Sequence, residues 1–245
     1  MTKRKAPVTN TQLSQYPGDD VAQVARRDWN DRQYFTLQYQ NSEGSVIQDW
    51  AGARGIIIKA EHNMTPSTGS PYSDITIKVG GDQKEFVEAA IQANERWEAL
   101  CSDRCPIFEF SGADVKPMFS ILPDQYADDG SQCVFLNSRI YHRAPKRSAG
   151  YVRVFSRGEN GKEKEMAIGD LEKYCWVNFN GMKLDECSLV NGTLYMSVKP
   201  RFIEIVEEDE MAAAGRDRFK QTHVQKRVKK GATGIKASEW LKRKN

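Results

Sequence analysis

Between residues 151 and 205 three Asn-Gly pairs, Asn160-Gly161, Asn180-Gly181 and Asn191-Gly192, each stand between β-rich runs. No other feature of the chain restricts its fold as tightly. A two-residue type I′ turn needs positive φ at both central positions, and Asn-Gly meets that need at little steric cost. The spacing predicts a meander with strands at about 151–157, 163–168, 173–179, 182–189 and 193–205. Gly169-Asp170 is expected to break the second run from the third. Leu194, Met196 and Val198 alternate with Tyr195, Ser197 and Lys199, so the last run has two distinct faces.

The rest of the chain reads in the same way. Tyr34, Phe35, Leu37 and Tyr39 fit a strand that Asn41–Gly44 turns. Val46 and Ile47 lead into Trp50, and Arg54–Lys59 is a second β-rich run. Residues 63–73 form a loop, and Asp74–Val79 alternates as a half-buried strand does. From Asp82, a candidate N-cap, to Cys101 the period changes. Phe86, Ala90, Ala93, Trp97 and Leu100 recur at steps of four and three, which puts them on one face of a helix that docks on a sheet. Ile107–Phe110, Val115–Leu122 and Cys133–Leu136 are further strands. Pro117 cannot donate to a ladder, so its strand belongs at an edge or begins there. Residues 1 to about 27 lack apolar periodicity and are expected to be a flexible N-terminal arm or a loosely docked extension. The main domain is then 28–206, followed by an acidic run and a basic tail at 207–245. Many short strands with one accessory amphipathic helix imply a mainly β fold, a barrel of the oligonucleotide/oligosaccharide-binding type.

Charge adds a second constraint. The chain has 36 Lys+Arg and 33 Asp+Glu, a net +3. Residues 211–245 hold eleven of the bases and two of the acids, or +9. The remaining 210 residues are therefore acidic, at −6. Basic tails suit nucleic acid or another anionic surface. Lys226, Arg227, Lys229 and Lys230 cluster within the tail, where they fit phosphate contacts or an import signal. No apolar run approaches the ~20 residues of a membrane helix, so no membrane partner is expected. The start, MTKRKAPVTNTQ, lacks the apolar region of a secretory signal. Five cysteines without a regular framework fit a reducing compartment inside a cell, cytoplasm or nucleus.

Catalytic and metal patterns are weak. His62, His142 and His223 stand near no nucleophile pattern, and the first two read as solvated loop residues. No phosphate-loop or dinucleotide fingerprint is present. Cys101 and Cys105 have an opening spacing for zinc but no second pair, so no metal or other cofactor is expected. The protein reads as a non-enzyme.

One constellation stands out. Between Asn137 and Gly158 lie Arg139, Arg143, Lys146, Arg147, Arg153 and Arg157, with no acid among them. Tyr141, Tyr151 and Phe155 are interleaved. Cations track phosphates and release counterions. Aromatic faces stack on unpaired bases without reading their edges. Tyr34, Tyr39, Trp50 with Arg54 and Lys59, Lys116 with Phe119, and Trp176 with Phe179 are weaker additions, each also explained by sheet packing.

Residues 28–206 resemble the single-stranded-DNA-binding proteins of phages and large DNA viruses. The resemblance rests on Lys116-Pro-Met-Phe-Ser-Ile-Leu122, on Tyr174-Cys-Trp-Val-Asn-Phe-Asn-Gly181 and on Gly192-Thr-Leu-Tyr-Met-Ser-Val-Lys199. Such proteins often end in an acidic tail, and this chain departs from that by ending in a basic one. The resemblance implies sequence-tolerant binding of single-stranded nucleic acid, DNA rather than RNA, in replication, recombination or repair, with self-association left open. The alternative is a viral structural or assembly protein whose basic tail contacts genome or an acidic partner.

Overall fold

The computed structural model describes residues 6–29, 32–66, 68–80, 83–102, 113–124, 130–142, 151–158 and 160–206. The chain divides into two units, residues 1–206 and 207–245, and the second lies outside the described residues. The expected strand at Ile107–Phe110 and the candidate cap Asp82 also lie outside them.

The described elements are fourteen strands, one α-helix and two single-turn 3-10 helices, Leu13–Gln15 and Ile168–Asp170. In chain order the strands and the α-helix are β1 (Asp20–Trp29), β2 (Arg32–Gln40), β3 (Val46–Ile47), β4 (Arg54–Met64), β5 (Pro71–Val79), α1 (Lys84–Leu100), β6 (Asp114–Val115) and β7 (Ser120–Pro123). There follow β8 (Gln132–Tyr141), β9 (Arg153–Arg157), β10 (Glu163–Met166), β11 (Trp176–Asn180), β12 (Lys183–Val190), β13 (Thr193–Lys199) and β14 (Phe202–Ile205). The fold is mainly β with one helix, as the periodicities imply.

It is not a barrel. One sheet of six strands runs β1-β2-β12-β13-β6, with β3 on β2, and a second of eight runs β10-β9-β14-β11-β4-β5-β8-β7. Closure needs the terminal strands of one sheet to pair with each other. Here the edges are β1 and β6, and β10 and β7. Two of those edges flank Pro117, which splits the expected 115–122 run into the two-residue β6 and the four-residue β7. A third is β10, the short charged run Glu163-Lys-Glu-Met166. Short strands, charge and proline are the usual ways to end a sheet.

The three Asn-Gly pairs do three different things. Asn191 (φ 50°) and Gly192 (φ 76°) make the two-residue hairpin between β12 and β13 that the type I′ turn requires. Asn160-Gly161 lies in a longer loop between the paired strands β9 and β10. Asn180-Gly181 does not make a hairpin, because β11 and β12 belong to different sheets. The predicted meander is therefore divided between the sheets, and Pro200-Arg201 splits its last run into β13 and β14.

The inner faces of both sheets and one face of α1 form a single buried cluster. Phe86, Ala90, Ala93 and Trp97 are buried along α1, with Val87 and Ala89 widening the stripe. Phe86 meets Phe119 and Phe179 edge-on at 6.2 and 5.8 Å. Asn94 brackets the Phe119 backbone, accepting from its N–H at 3.0 Å and donating to its carbonyl at 2.9 Å.

Residues 13–29 are docked and do not form a free arm. Leu13 and Tyr16 are buried, and Tyr16 packs with Tyr39 and Trp50 at ring distances of 5.5 and 5.3 Å. Arg96 of α1 donates to the Ser14 and Tyr16 carbonyls. Asp20–Trp29 pairs with β2 along its length. Burial of Leu13 and the Tyr16 ring, with nine registered pairs, offsets the entropy of ordering this polar segment.

Candidate nucleic-acid interface

Residues paired across neighbouring strands point to the same face of a sheet. Register therefore defines the outer face of the eight-stranded sheet. Phe202 and Glu204 of β14 oppose Arg153 and Phe155 of β9. Asn178 of β11 opposes both Glu204 and Arg54 of β4, and Trp176 lies two residues before it. Tyr72 and Asp74 of β5 oppose Tyr141 and Arg139 of β8. Behind them Val154, Ile203, Val177, Ile57, Ile75 and Leu136 fill the core.

This outer face carries a row of arginine-on-ring contacts. The guanidinium of Arg139 lies 4.3 Å from the Tyr72 ring centre, that of Arg54 lies 5.1 Å from Trp176, and that of Arg201 lies 5.6 Å from Phe202. Phe155 receives two, Arg153 at 5.0 Å and Arg157 at 5.6 Å. Tyr141 stands 6.0 Å from Tyr72 and is 42% exposed, and Phe202 is 37% exposed. Exposed rings fixed by neighbouring cations are surfaces on which a flat, unpaired base can stack. A groove of about 500 Å³ crosses part of the face, lined among others by Arg153, Phe155, Arg157, Asn178, Asn180 and Phe202. Gly52 lies at its wall because a Cβ there would stand 2.0 Å from the Phe179 carbonyl oxygen.

The stretch that is acid-free in sequence is not acid-free in space. Asp74 holds Arg139 through two bonds, at 2.8 and 3.0 Å, and this partner raises the guanidinium pKa further. Glu163 takes both Arg153 (2.8 Å) and Arg157 (3.2 Å), and Glu204 is 3.4 Å from Arg157. Hydrogen bonds from Arg153 and then Arg157 hold the Glu163 carboxyl below the usual carboxylate range. Among the described residues Arg54 has no carboxylate partner within 4 Å. The face is thus nearly charge-balanced, with Arg139, Arg153 and Arg157 held in place by acids of adjacent strands.

The candidate residues of the basic stretch fall into two groups. Arg139 and Tyr141 end β8, whereas Arg153, Phe155 and Arg157 lie on β9 with Tyr151 just before it, its hydroxyl donating to Glu165 at 3.3 Å. Five inter-strand steps separate β8 from β9, roughly 24 Å along the sheet. They share a face but not a patch. Arg143, Lys146 and Arg147, between the two strands in sequence, and Lys226, Arg227, Lys229 and Lys230 lie outside the described residues. Phe155 is 7% exposed, covered by its two arginines. Of the weaker candidates, Tyr39, Trp50, Phe119 and Phe179 are core, while Arg54, Lys59 and Trp176 are on the outer face and Tyr34 lies under Arg27 on the other sheet. Sequence reading passed over Tyr72 and Phe202. Their signal is the strand alternation that places each on the side opposite Ile75 and Ile203.

The two described histidines share a partner, although His62 is exposed and His142 stands in a turn. His62 lies on β4 and His142 directly follows β8, and both reach the hydroxyl of the buried Ser73, at 2.7 and 2.6 Å. The hydroxyl satisfies one ring as donor and the other as acceptor while both are neutral. Burial, and then the neighbouring His62, lowers the His142 pKa below 6.5. The unfolded chain then binds more protons than the native one as pH falls below 6.5, so acidification through this window lowers stability. The urea midpoint is expected to fall between pH 7.5 and 5.5, and to fall less in His142→Gln. Equal falls in both proteins overturn the assignment.

The four described cysteines are free thiols. Burial pushes the Cys187 thiol up to about 12. Among the described residues no three His, Cys, Asp or Glu side chains are placed to hold a metal ion. Cys105, half of the only zinc-like spacing, lies outside them. No described helix is long and apolar enough to cross a membrane.

No family model and no curated protein sequence matches the chain. Matches among solved structures include the following three. A C-terminal truncation of the single-stranded DNA-binding protein from bacteriophage Enc34 matches at 9% identity, over 79% of this chain and 98% of that one, with a TM-score of 0.39. The same phage protein in complex with single-stranded DNA matches at 8% identity, over 79% and 98%, with a TM-score of 0.37. The single-stranded DNA-binding protein gp2.5 of bacteriophage T7 matches at 10% identity, over 65% and 92%, with a TM-score of 0.36.

Proposed function

We propose that the outer face of the eight-stranded sheet binds single-stranded nucleic acid, DNA in preference to RNA, without reading its sequence. On this reading the protein is a binding protein, not an enzyme, and serves DNA replication, recombination or repair. The observation that carries it is the row of arginine-on-ring contacts across one solvent face. Rings presented flat on a sheet serve unpaired bases, since a duplex keeps its base faces stacked inside. Arg139, Tyr141, Tyr151, Arg153, Phe155 and Arg157 take part from the two ends of this face. Arg143, Lys146 and Arg147, with Lys226, Arg227, Lys229 and Lys230 of the tail, add phosphate contacts.

Fluorescence anisotropy with a labelled oligo(dT), the matching RNA and a duplex, each at two salt concentrations, tests the reading. The unpaired DNA is expected to bind tightest, and its affinity to fall as salt rises. Equal affinity for duplex, or no binding to any strand, overturns it.

A further inference from the structure

Arg153 and Arg157 sit on the same face of β9 and converge on one oxyanion. Glu163 Oε2 accepts from Arg153 Nη2 at 2.8 Å, and its Oε1 accepts from Arg157 Nη2 at 3.2 Å. Two guanidinium groups closing on one anion is the arrangement that holds a phosphate. The same guanidiniums lie over Phe155, whose ring is covered although it stands outside the contiguous core. All four side chains line the groove of about 500 Å³. The acids around the pair are not equivalent. Glu204 is the more enclosed, and it is tied to Asn178 Nδ2 at 3.1 Å. Glu163 is on a four-residue edge strand and is more exposed. It is the partner freer to leave.

We propose that Arg153 and Arg157 form a phosphate seat that Glu163 occupies in the free protein. A phosphate of the bound strand displaces the carboxylate, draws the guanidiniums off Phe155 and so uncovers that ring for a base. Phosphate capture and stacking at this end of the face are one event. The inference rests on the nucleic-acid reading of the sheet and adds a built-in competitor to it.

Glu163→Gln removes the competitor's charge and keeps its size. Its affinity for oligo(dT) at low salt is expected to rise roughly three- to tenfold over the wild type. Its log K against log salt slope is expected to steepen by about 1, as one further cation becomes available. Glu95→Gln, the same charge change on the exposed side of α1, is the control and is expected to leave both nearly unchanged. Adding Arg153→Ala and Arg157→Ala to Glu163→Gln is expected to erase the gain. Should Glu163→Gln fold poorly, Glu163→Thr, which suits a strand, repeats the test. A Glu163 variant that matches Glu95→Gln in affinity and slope overturns the seat. Failure of the wild type to bind any strand overturns the nucleic-acid reading instead. The seat is then decided by titrating inorganic phosphate while following the Arg153 and Arg157 Nε–H resonances. Shifts in Glu163→Gln but not in the wild type support it, and no shift in either overturns it.

Discussion

Trp97→Ala is expected to lower the unfolding free energy by about 3–5 kcal/mol, the usual cost of emptying a large aromatic site in a core. Trp97 is fully buried on α1, and its indole N–H donates to the Lys116 carbonyl at 3.1 Å. Truncation removes the apolar burial, leaves a cavity between the helix and the sheets, and strips a donor from the segment that joins β6 to β7. For a domain of this size each kcal/mol shifts the melting temperature by about 2–4 °C, so the midpoint is expected to drop by about 6–20 °C. Trp97→Phe keeps most of the ring and loses the hydrogen bond, at about 1–2 kcal/mol. Urea unfolding of the three proteins checks both values. A loss below 1 kcal/mol for Trp97→Ala contradicts the docking of α1 described above.

That helix was legible because its environment is one-sided. A stripe at steps of four and three has no reading other than one buried face, and the same holds for the alternation of β5. β1 shows the opposite case. It is an edge strand with most of its side chains in solvent, so neither face selects apolar residues and no period forms. Tyr16 is a lone ring in a polar segment, and its burial depends on Tyr39 and Trp50, which are 23 and 34 positions away. The barrel expectation failed for a related reason. Turn chemistry at Asn180-Gly181 reports local φ, while the sheet that receives the next strand is set by non-local pairing.

The site divides in the same way. The cations and rings of 139–157 were legible as residue types. Their spacing across four intervening strands was not, and neither were their acid partners. Asp74 and Glu204 are 65 and 47 positions from the arginines they hold. A charge run in sequence describes one strand, whereas the potential above a sheet is summed over its neighbours. Acids at the bases of these arginines fix the guanidiniums over the rings and reduce the free charge of the face. Affinity on this surface is therefore expected to owe more to stacking than to counterion release, with a salt slope shallower than the number of arginines suggests.

Tyr141 and Phe202 make that balance measurable. Both rings are exposed, so their removal costs little folding energy, and a loss of binding is not confused with a loss of structure. Base stacking on an aromatic side chain is worth about 1–3 kcal/mol by alanine substitution, roughly a 5- to 150-fold change in affinity. Tyr141→Ala and Phe202→Ala are each expected to weaken oligo(dT) binding by that amount while leaving the melting temperature within about 2 °C of the wild type. The two residues stand on β8 and β14, four inter-strand steps apart, or roughly 19 Å along the sheet. Effects at that separation add when one strand spans both rings. The double variant is then expected to lose the sum, about 2–6 kcal/mol, with little change in salt slope because no cation has been removed. Two folded single variants that bind as the wild type does would show that the bases do not lie on this face.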